Sequence, residues 1–179
     1  GLGRALLESA EEEAREQGAK GLAVVAYYHD FWFMPALFFE RCGFSRVGTV
    51  RPVTSQGAKE YSSTEAVLWR LFDSSAKAPE PLKRSYRFRP LPGKVVVDLF
   101  WNTLCQTSNI EAQRVREVVR ELGETVTLRE YCTDDRAILC RYQLPRGIFV
   151  NGNEIGWGYE APKEGIREAI RKELRGRQS

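Results

Sequence analysis

The chain has 179 residues, enough for one large domain or two small ones. Its apolar fraction of 42% is ordinary for a globular protein. Because no run of about 18 apolar residues exists, we expect no transmembrane helix and no membrane partner. The net charge of +3, from 27 basic and 24 acidic residues, is too balanced to favour a nucleic-acid partner.

Four scattered cysteines indicate a reducing compartment. They are Cys42, Cys105, Cys132 and Cys140, and no two of them form a CxxC pair. With His29 as its single histidine, the chain lacks the ligand spacing of a closed zinc site. We therefore expect a cytoplasmic protein without a metal.

The first part of the chain alternates helices with strands. An amphipathic helix is predicted over Leu2 to Gln17, with an apolar stripe formed by Leu2, Ala5, Leu6, Ala10 and Ala14. The next predicted elements are a buried strand over Leu22 to Tyr28, a helix over Pro35 to Arg41, and strands over Phe44 to Val50 and Thr64 to Phe72.

A segment with four prolines, residues 74–93, is predicted to link two domains, at residues 1–73 and 94–179. Its basic cluster consists of Lys83, Arg84, Arg87 and Arg89, and fits a solvated connector better than a nucleic-acid patch.

The second part predicts the order βαβαββα, an α/β sheet with helices on its faces. The predicted elements are a strand over Val95 to Trp101, a helix over Thr107 to Leu122, a strand over Thr125 to Tyr131, a helix over Thr133 to Tyr142 with Thr133 as N-cap, strands over Gly147 to Val150 and Glu154 to Trp157, and a helix over Pro162 to Leu174. Asn151-Gly152 is a typical hairpin turn between the last two strands.

The start of the first helix carries the sequence Gly1-Leu2-Gly3-Arg4. A helix N-terminus offers free N–H groups and a positive dipole end, and glycine lets an anion such as pyrophosphate approach the backbone. A plain helix start has the same pattern, so both interpretations stay open. Because the chain begins within this motif and without methionine, we expect it to be part of a longer protein.

The motif order continues with Phe38-Phe39-Glu40-Arg41-Cys42-Gly43-Phe44. Over residues 1–72 this order resembles the C-terminal part of the GNAT acetyltransferase family. The resemblance implies a partial GNAT acyl-CoA N-acyltransferase fold and direct acetyl transfer from acetyl-CoA to an amine. It also implies that the pyrophosphate binds backbone N–H groups of Gly1, Leu2, Gly3, Arg4 and Ala5.

Three departures from the family pattern concern the chemistry. The family's earlier strands, which form the acceptor half of the site, are absent, and Trp32 stands where many members have asparagine. Phe39 stands where many members have a tyrosine that protonates the departing CoA thiolate, and phenylalanine has no proton to give. Tyr27, His29, Asp30 and Cys42 remain as proton donors among which the sequence does not choose. Packing in a core equally explains Phe38, Phe39 and Phe44.

A single cysteine, Cys105, follows the strand that ends in Phe100-Trp101 and opens the next helix. The N–H groups and dipole at a helix start favour thiolate, the reactive form, and lower the pKa from about 8.5. In Cys105-Gln106-Thr107-Ser108, Ser108 takes the place of the second thiol of a CxxC pair. An idle or buried thiol at Cys105 is the alternative. Cys132 and Cys140 are expected to pack in the fold.

Phe100-Trp101 before Cys105, and Leu144-Pro145 before Ile148-Phe149-Val150-Asn151-Gly152, resemble the thioredoxin and glutaredoxin superfamily over residues 94–174. The resemblance implies a small thioredoxin-like domain in which Pro145, as a cis-proline, faces Cys105. Without a second thiol, it implies a monothiol reaction with a small thiol, or a fold kept for binding.

The two parts together resemble the YoaP-like group of GNAT proteins. The first hypothesis is an acetyl-CoA-dependent N-acetyltransferase with a small-molecule or peptide amine acceptor. The second is a monothiol redox or thiol-binding protein with a vestigial acetyltransferase half, and the third is a non-catalytic interaction module. An acceptor pocket between the domains, or plain packing, would involve Trp32, Phe33, Trp157 and Tyr159. An exposed strand edge would favour a homodimer.

Overall fold

The protein is described by a computed structural model over residues 1–28, 34–49, 65–156 and 160–176. These residues form a mixed α/β structure with two sheets and five α-helices, which confirms the predicted α/β class. They divide into two compact units, one up to Pro81 and one from Leu82 onward. In the described part of the chain, no helix has the length and apolar character needed to span a bilayer.

The first unit contains α1 (Leu2–Glu16), β1 (Gly21–Tyr27), α2 (Ala36–Arg41), β2 (Ser45–Thr49) and β3 (Glu65–Leu71). All five elements were predicted within two residues of these bounds. The sheet is antiparallel in the order β1-β3-β2, so the last strand lies between the first two.

Aromatic rings from α2 form the centre of the first unit's core. Phe39 packs edge-on against Phe44, with ring centroids 5.6 Å apart, and lies 5.2 Å from Phe38. The packing interpretation of these three residues is therefore confirmed. A Cβ at Gly3 would lie 3.3 Å from the ring of Phe38, so the close approach of α1 to α2 favours glycine there.

The predicted apolar stripe of α1 is wrong. Leu2 is 86% exposed and Leu6 is 73% exposed, whereas Leu7 packs against the core. Glu11 is buried because its carboxylate bonds with the Arg70 guanidinium at 2.7 Å. The helix is thus oriented by one leucine and one partly buried ion pair, not by the run of leucines and alanines at its start.

The second unit contains β4 (Val95–Trp101), α3 (Gln106–Leu122), a 3₁₀ turn (Gly123–Thr125), β5 (Val126–Cys132), α4 (Arg136–Tyr142), β6 (Gly147–Val150), β7 (Asn153–Ile155) and α5 (Lys163–Arg175). The predicted order βαβαββα is confirmed. The sheet has the order β5-β4-β6-β7, with β4 parallel to β5 and antiparallel to β6.

The two faces of this sheet have different cores. Successive side chains of a strand point to opposite faces, so Val97 and Leu99 of β4 contact the apolar faces of α3 and α5. Phe100 points to the other face, where it packs with Phe149 and Leu144. The β4 strand is therefore buried on both faces, and its end is fixed in position.

The predicted start of α4 at Thr133 is wrong. The helix begins at Arg136, and Asp135 is its N-cap, accepting a hydrogen bond from the N–H of Ala137 at 2.7 Å. The Thr133 hydroxyl instead donates to the carbonyls of Trp101 and Pro145, at 3.2 and 2.7 Å. Thr133 thus connects the end of β4 to the segment between α4 and β6 instead of capping a helix.

The later part of the predicted linker packs on the second unit. Tyr86 lies against Phe100 and Phe149, with ring centroids 5.5 and 4.4 Å away. Arg84 forms a two-pronged ion pair with Glu154, at 2.8 and 3.0 Å. From Leu82 onward this segment therefore belongs to the unit it precedes.

The hairpin between β6 and β7 turns at Asn151 and Gly152, as predicted. Both have positive φ, 48° and 84°, which matches the twist of a two-residue hairpin turn. A Cβ at Gly152 would lie 2.6 Å from the Cβ of Phe88. Glycine is therefore required both by the turn and by the packing of the 82–93 segment.

Candidate functional site

Cys105 lies at the N-cap of α3, directly after the loop that leaves β4. Its side chain is half-buried, and its N–H donates to the Asn102 side-chain carbonyl at 2.9 Å. The strand end and the helix start therefore hold the thiol at one edge of the sheet.

Two asparagines hold this loop in shape. The Asn109 amide, one turn into α3, donates to the carbonyls of Asn102, Thr103 and Cys105 at 3.1, 3.2 and 3.0 Å. The Asn102 amide donates to the Pro145 carbonyl at 3.2 Å. These bonds connect the loop carbonyls to α3 and to the segment after α4.

Ser108 is a buried structural residue. It is 1% exposed, and its hydroxyl accepts a hydrogen bond from the N–H of Asn102 at 3.1 Å. Its backbone N–H acts on the Cys105 sulfur. The residue that replaces the second thiol therefore supports the loop through its side chain and the thiolate through its backbone.

Pro145 lies at the same edge, but not as the resemblance implied. No peptide bond among the described residues is cis, so the predicted cis-proline is wrong. Pro145 is exposed, and its carbonyl binds the side chains of Asn102 and Thr133. The Pro145 carbonyl thus joins the β4–α3 loop to the turn after β5.

The sequence analysis missed Arg146, the residue after Pro145. Its Nη1 lies 3.5 Å from the Cys105 Sγ, across 41 positions of sequence. A basic residue directly after the proline that the superfamily pattern singles out was the only available signal.

The surroundings lower the pKa of Cys105. Burial alone raises it, but the Ser108 N–H, the Arg146 guanidinium and the Thr107 N–H lower it further than burial raises it. All three stabilise a negative sulfur. The geometry therefore favours a thiolate, as the position of Cys105 at a helix start had predicted.

The other cysteines have different surroundings. The Cys132 thiol is half-buried and lies 3.6 Å from an Asp134 carboxylate oxygen, to which it donates. Cys140 is exposed on α4, so its predicted packing role is wrong. All four cysteines are free thiols. In the described ranges, no group of three or more His, Cys, Asp or Glu side chains could hold a metal ion.

The start of α1 carries the five residues that were expected to bind pyrophosphate, Gly1 to Ala5. Gly1 is the N-cap, the first turn has no acidic residue, and all residues from Gly1 to Ala5 are exposed. The N–H groups of Arg4 and Ala5 donate to the Gly1 carbonyl, at 3.1 and 3.3 Å. The N–H groups of Leu2 and Gly3 therefore lie before the first hydrogen bonds of the helix.

The candidate proton donors of this unit are only partly described. Phe39 is buried in the core. Tyr27, the candidate at the end of β1, is half-buried. Its neighbour Tyr28, which was not among the candidates, donates its hydroxyl to Glu40, and this bond raises the pKa of Tyr28. The Cys42 carbonyl binds Arg70, at 2.9 Å. His29, Asp30, Trp32, Phe33, Trp157 and Tyr159 lie outside the described residues.

A charged cavity of about 200 Å³ lies beside this helix start. Arg4, Arg41 and Arg70 line it together with Glu8 and Glu11. Because Arg70 pairs with Glu11, part of this charge is already compensated within the unit.

Comparison with known protein families finds no match, and comparison with curated proteins finds none either. Among solved structures, the chain is similar to thioredoxin-2, a component of the malaria parasite protein secretion machinery. The identity is 15% and the TM-score 0.36, over 46% of this chain and 86% of that chain. The likeness is weak and involves less than half of this chain.

Proposed function

We propose that the second unit is a monothiol module with a thioredoxin-like fold, in which Cys105 exchanges with small disulfides. The observation that carries the proposal is the Cys105 sulfur at the start of α3, with a lowered pKa and a guanidinium 3.5 Å away. The element order βαβαββα and the mixed sheet order support the same proposal.

The reaction would run in two exchange steps. The Cys105 thiolate attacks one sulfur of a small disulfide, forms a mixed disulfide with that half, and releases the other half as a thiolate. The thiolate of a second small molecule then attacks the small-molecule sulfur of the mixed disulfide. The two small-molecule sulfurs form a new disulfide, and Cys105 is released as a thiolate. The electron pair of each broken S–S bond goes to the departing sulfur, so both steps balance.

A small thiol, and not a second cysteine of the helix, completes this cycle. Ser108 occupies the position of the second thiol and is used inside the loop, as described above. An internal disulfide across the first turn of α3 is therefore impossible, and the mixed disulfide is the species that accumulates.

The test is to incubate the chain with bis(2-hydroxyethyl) disulfide at neutral pH and map the adduct by mass spectrometry. We expect the adduct on Cys105 to form faster than on exposed Cys140, and a small thiol to release it. Adducts that form first on Cys140 would contradict the proposal. It would also be contradicted if the Cys105→Ser protein formed adducts as fast as the unaltered chain.

A second candidate function is acetyl-CoA-dependent N-acetyl transfer by the first unit. No side chain caps the start of α1 at Gly1, and N–H groups at a helix start suit a pyrophosphate. Arg4 beside the charged cavity adds a cation near that start. An acceptor amine would attack the thioester carbon, lose a proton to water, and release CoA as a thiolate that takes up a proton.

The substitution that tests this candidate is Gly1→Asp. A Cβ at Gly1 meets no atom within 4 Å, so the fold accepts it, and an N-cap carboxylate both occupies the N–H groups and repels phosphate. We expect acetyl-CoA binding, measured by calorimetry, to be lost in this variant and kept in Gly1→Ala. Equal binding by both variants, or no binding by the unaltered chain, would contradict the candidate.

A further inference from the structure

Arg146 approaches Cys105 from a part of the chain that is distant in sequence. It lies between α4 and β6, and both its side chain and that of Cys105 are half-buried. The 3.5 Å between its Nη1 and the Cys105 sulfur is within hydrogen-bonding reach for sulfur. A charge-assisted contact of this kind is stronger than a neutral one.

The backbone on both sides of this contact is fixed. Gly147, the next residue, begins β6 and lies opposite Phe100 of β4. On the other side, the Pro145 carbonyl accepts hydrogen bonds from Asn102 and Thr133, at 3.2 and 2.7 Å. The segment that carries Arg146 is therefore attached to the same strand and loop that lead to Cys105.

The charged groups around the β4–α3 loop have different partners. The Asp134 carboxylate, after β5, accepts from the Thr103 N–H at 3.1 Å and from the Cys132 thiol. The first turn of α3 has no acidic residue. Arg146 is the residue whose positive charge acts directly on the Cys105 sulfur.

We infer that Arg146 is a positioning residue that keeps Cys105 in its reactive thiolate form, an inference that rests on the proposed thiol function. A guanidinium is charged at every working pH and attracts a thiolate much more than a neutral thiol. Its loss shifts the equilibrium toward the thiol without altering the sulfur itself.

The experiment follows alkylation of Cys105 by iodoacetamide as a function of pH, with each cysteine quantified by mass spectrometry. The reagent is neutral, so Arg146 does not attract it, and the rate reports the thiolate fraction. For Arg146→Gln we expect the pH midpoint to rise by roughly one unit, and the rate at pH 7 to fall roughly tenfold. Arg146→Lys keeps the charge and restores most of the low midpoint.

The matched control is Arg120→Gln. Arg120 is exposed near the other end of α3, about 22 Å along the helix from Cys105 at 1.5 Å per residue. This distance exceeds the screening length of about 8 Å in physiological salt, so its loss leaves the midpoint unchanged. If thermal unfolding shows that Arg146→Gln does not fold, Arg146→Met is used in its place, because methionine keeps the aliphatic part of the side chain without the charge.

The outcomes separate this inference from the function on which it rests. A low midpoint in the unaltered chain that stays low in Arg146→Gln and Arg146→Met overturns the inference and leaves the monothiol function standing. A midpoint for Cys105 no lower than for Cys140 in the unaltered chain overturns the function itself. A midpoint that rises in folded Arg146→Gln and returns with lysine supports both.

Discussion

Ser108 lies at the start of α3, beside the loop around Cys105, at the position where a dithiol protein has its second cysteine. Ser108 is 1% exposed, and its hydroxyl accepts a hydrogen bond from the Asn102 N–H. Asn102 in turn holds the N–H of Cys105 and the carbonyl of Pro145. The serine therefore stabilises the loop in which the thiol lies.

Replacing this hydroxyl is expected to destabilise the second unit. Ser108→Ala leaves the partly buried Asn102 N–H without its acceptor, which costs about 1–3 kcal/mol in the free energy of unfolding. The measurement is chemical denaturation of both proteins. The control, Ser9→Ala, lies on the exposed surface of α1 and is expected to change stability by about 0.5 kcal/mol or less. Equal stability of Ser108→Ala and the unaltered chain would contradict the assigned role.

The sequence identified some of these residues and not others, for a physical reason. Cys105 and Ser108 are separated by one helical turn, so their spacing alone indicated their relation. Arg146 and Thr133 meet the loop only because β5 and β6 flank β4 in the sheet. No local pattern encodes such a contact.

At the level of elements, a buried carboxylate connects the 82–93 segment to the sheet. Asp98 of β4 is 1% exposed. It accepts hydrogen bonds from the Tyr86 hydroxyl at 2.7 Å and the Tyr131 hydroxyl at 3.3 Å, and Arg129 lies 3.8 Å away. Buried charges need such partners, which explains why the segment stays attached to the unit.

These tyrosines predict a loss of stability at alkaline pH. Burial, and then the Asp98 carboxylate, raise the pKa of Tyr131 from 10.0 to about 12. The folded state thus holds the Tyr131 proton more tightly than the unfolded state does. The contribution of Tyr131 to the free energy of unfolding is therefore complete below pH 10 and is lost as the pH rises from 10 toward 12. We expect the free energy of unfolding to fall less steeply over this range in Tyr131→Phe. Parallel curves for the two proteins would contradict the prediction.

The elements themselves were largely predictable, and the errors have identifiable causes. The bounds of β4 were predicted without error because a run of valines ends at a turn. The α1 stripe was wrong because a partly buried ion pair between Glu11 and Arg70, 59 positions apart, overrides local hydrophobicity. The start of α4 was wrong because Thr133 and Asp135 are both good caps, and tertiary bonds of Thr133 decided between them.

At the scale of the molecule, the two units have separate cores. The larger core lies in the second unit and includes Ile166, which is fully buried. The core of the first unit includes Leu68, which is also fully buried. No described residue belongs to both cores.

Separate cores predict separate responses to a cavity. Ile166→Ala and Leu68→Ala each remove buried methyl groups, at a cost of about 2–5 kcal/mol. By hydrogen exchange and mass spectrometry, we expect Ile166→Ala to raise exchange in β4, α3 and α5, and Leu68→Ala to raise it in β1 and β3. A rise in both units from either substitution would show that they unfold together.

The most direct test of the central claim is the pH dependence of Cys105 alkylation in the unaltered chain, with Cys140 as internal reference. The lowered pKa of Cys105 predicts a midpoint below that of an ordinary free thiol, and a rate at pH 7 above that of Cys140. A midpoint at or above that of Cys140 would show that the start of α3 does not hold a thiolate, and would contradict the proposed function.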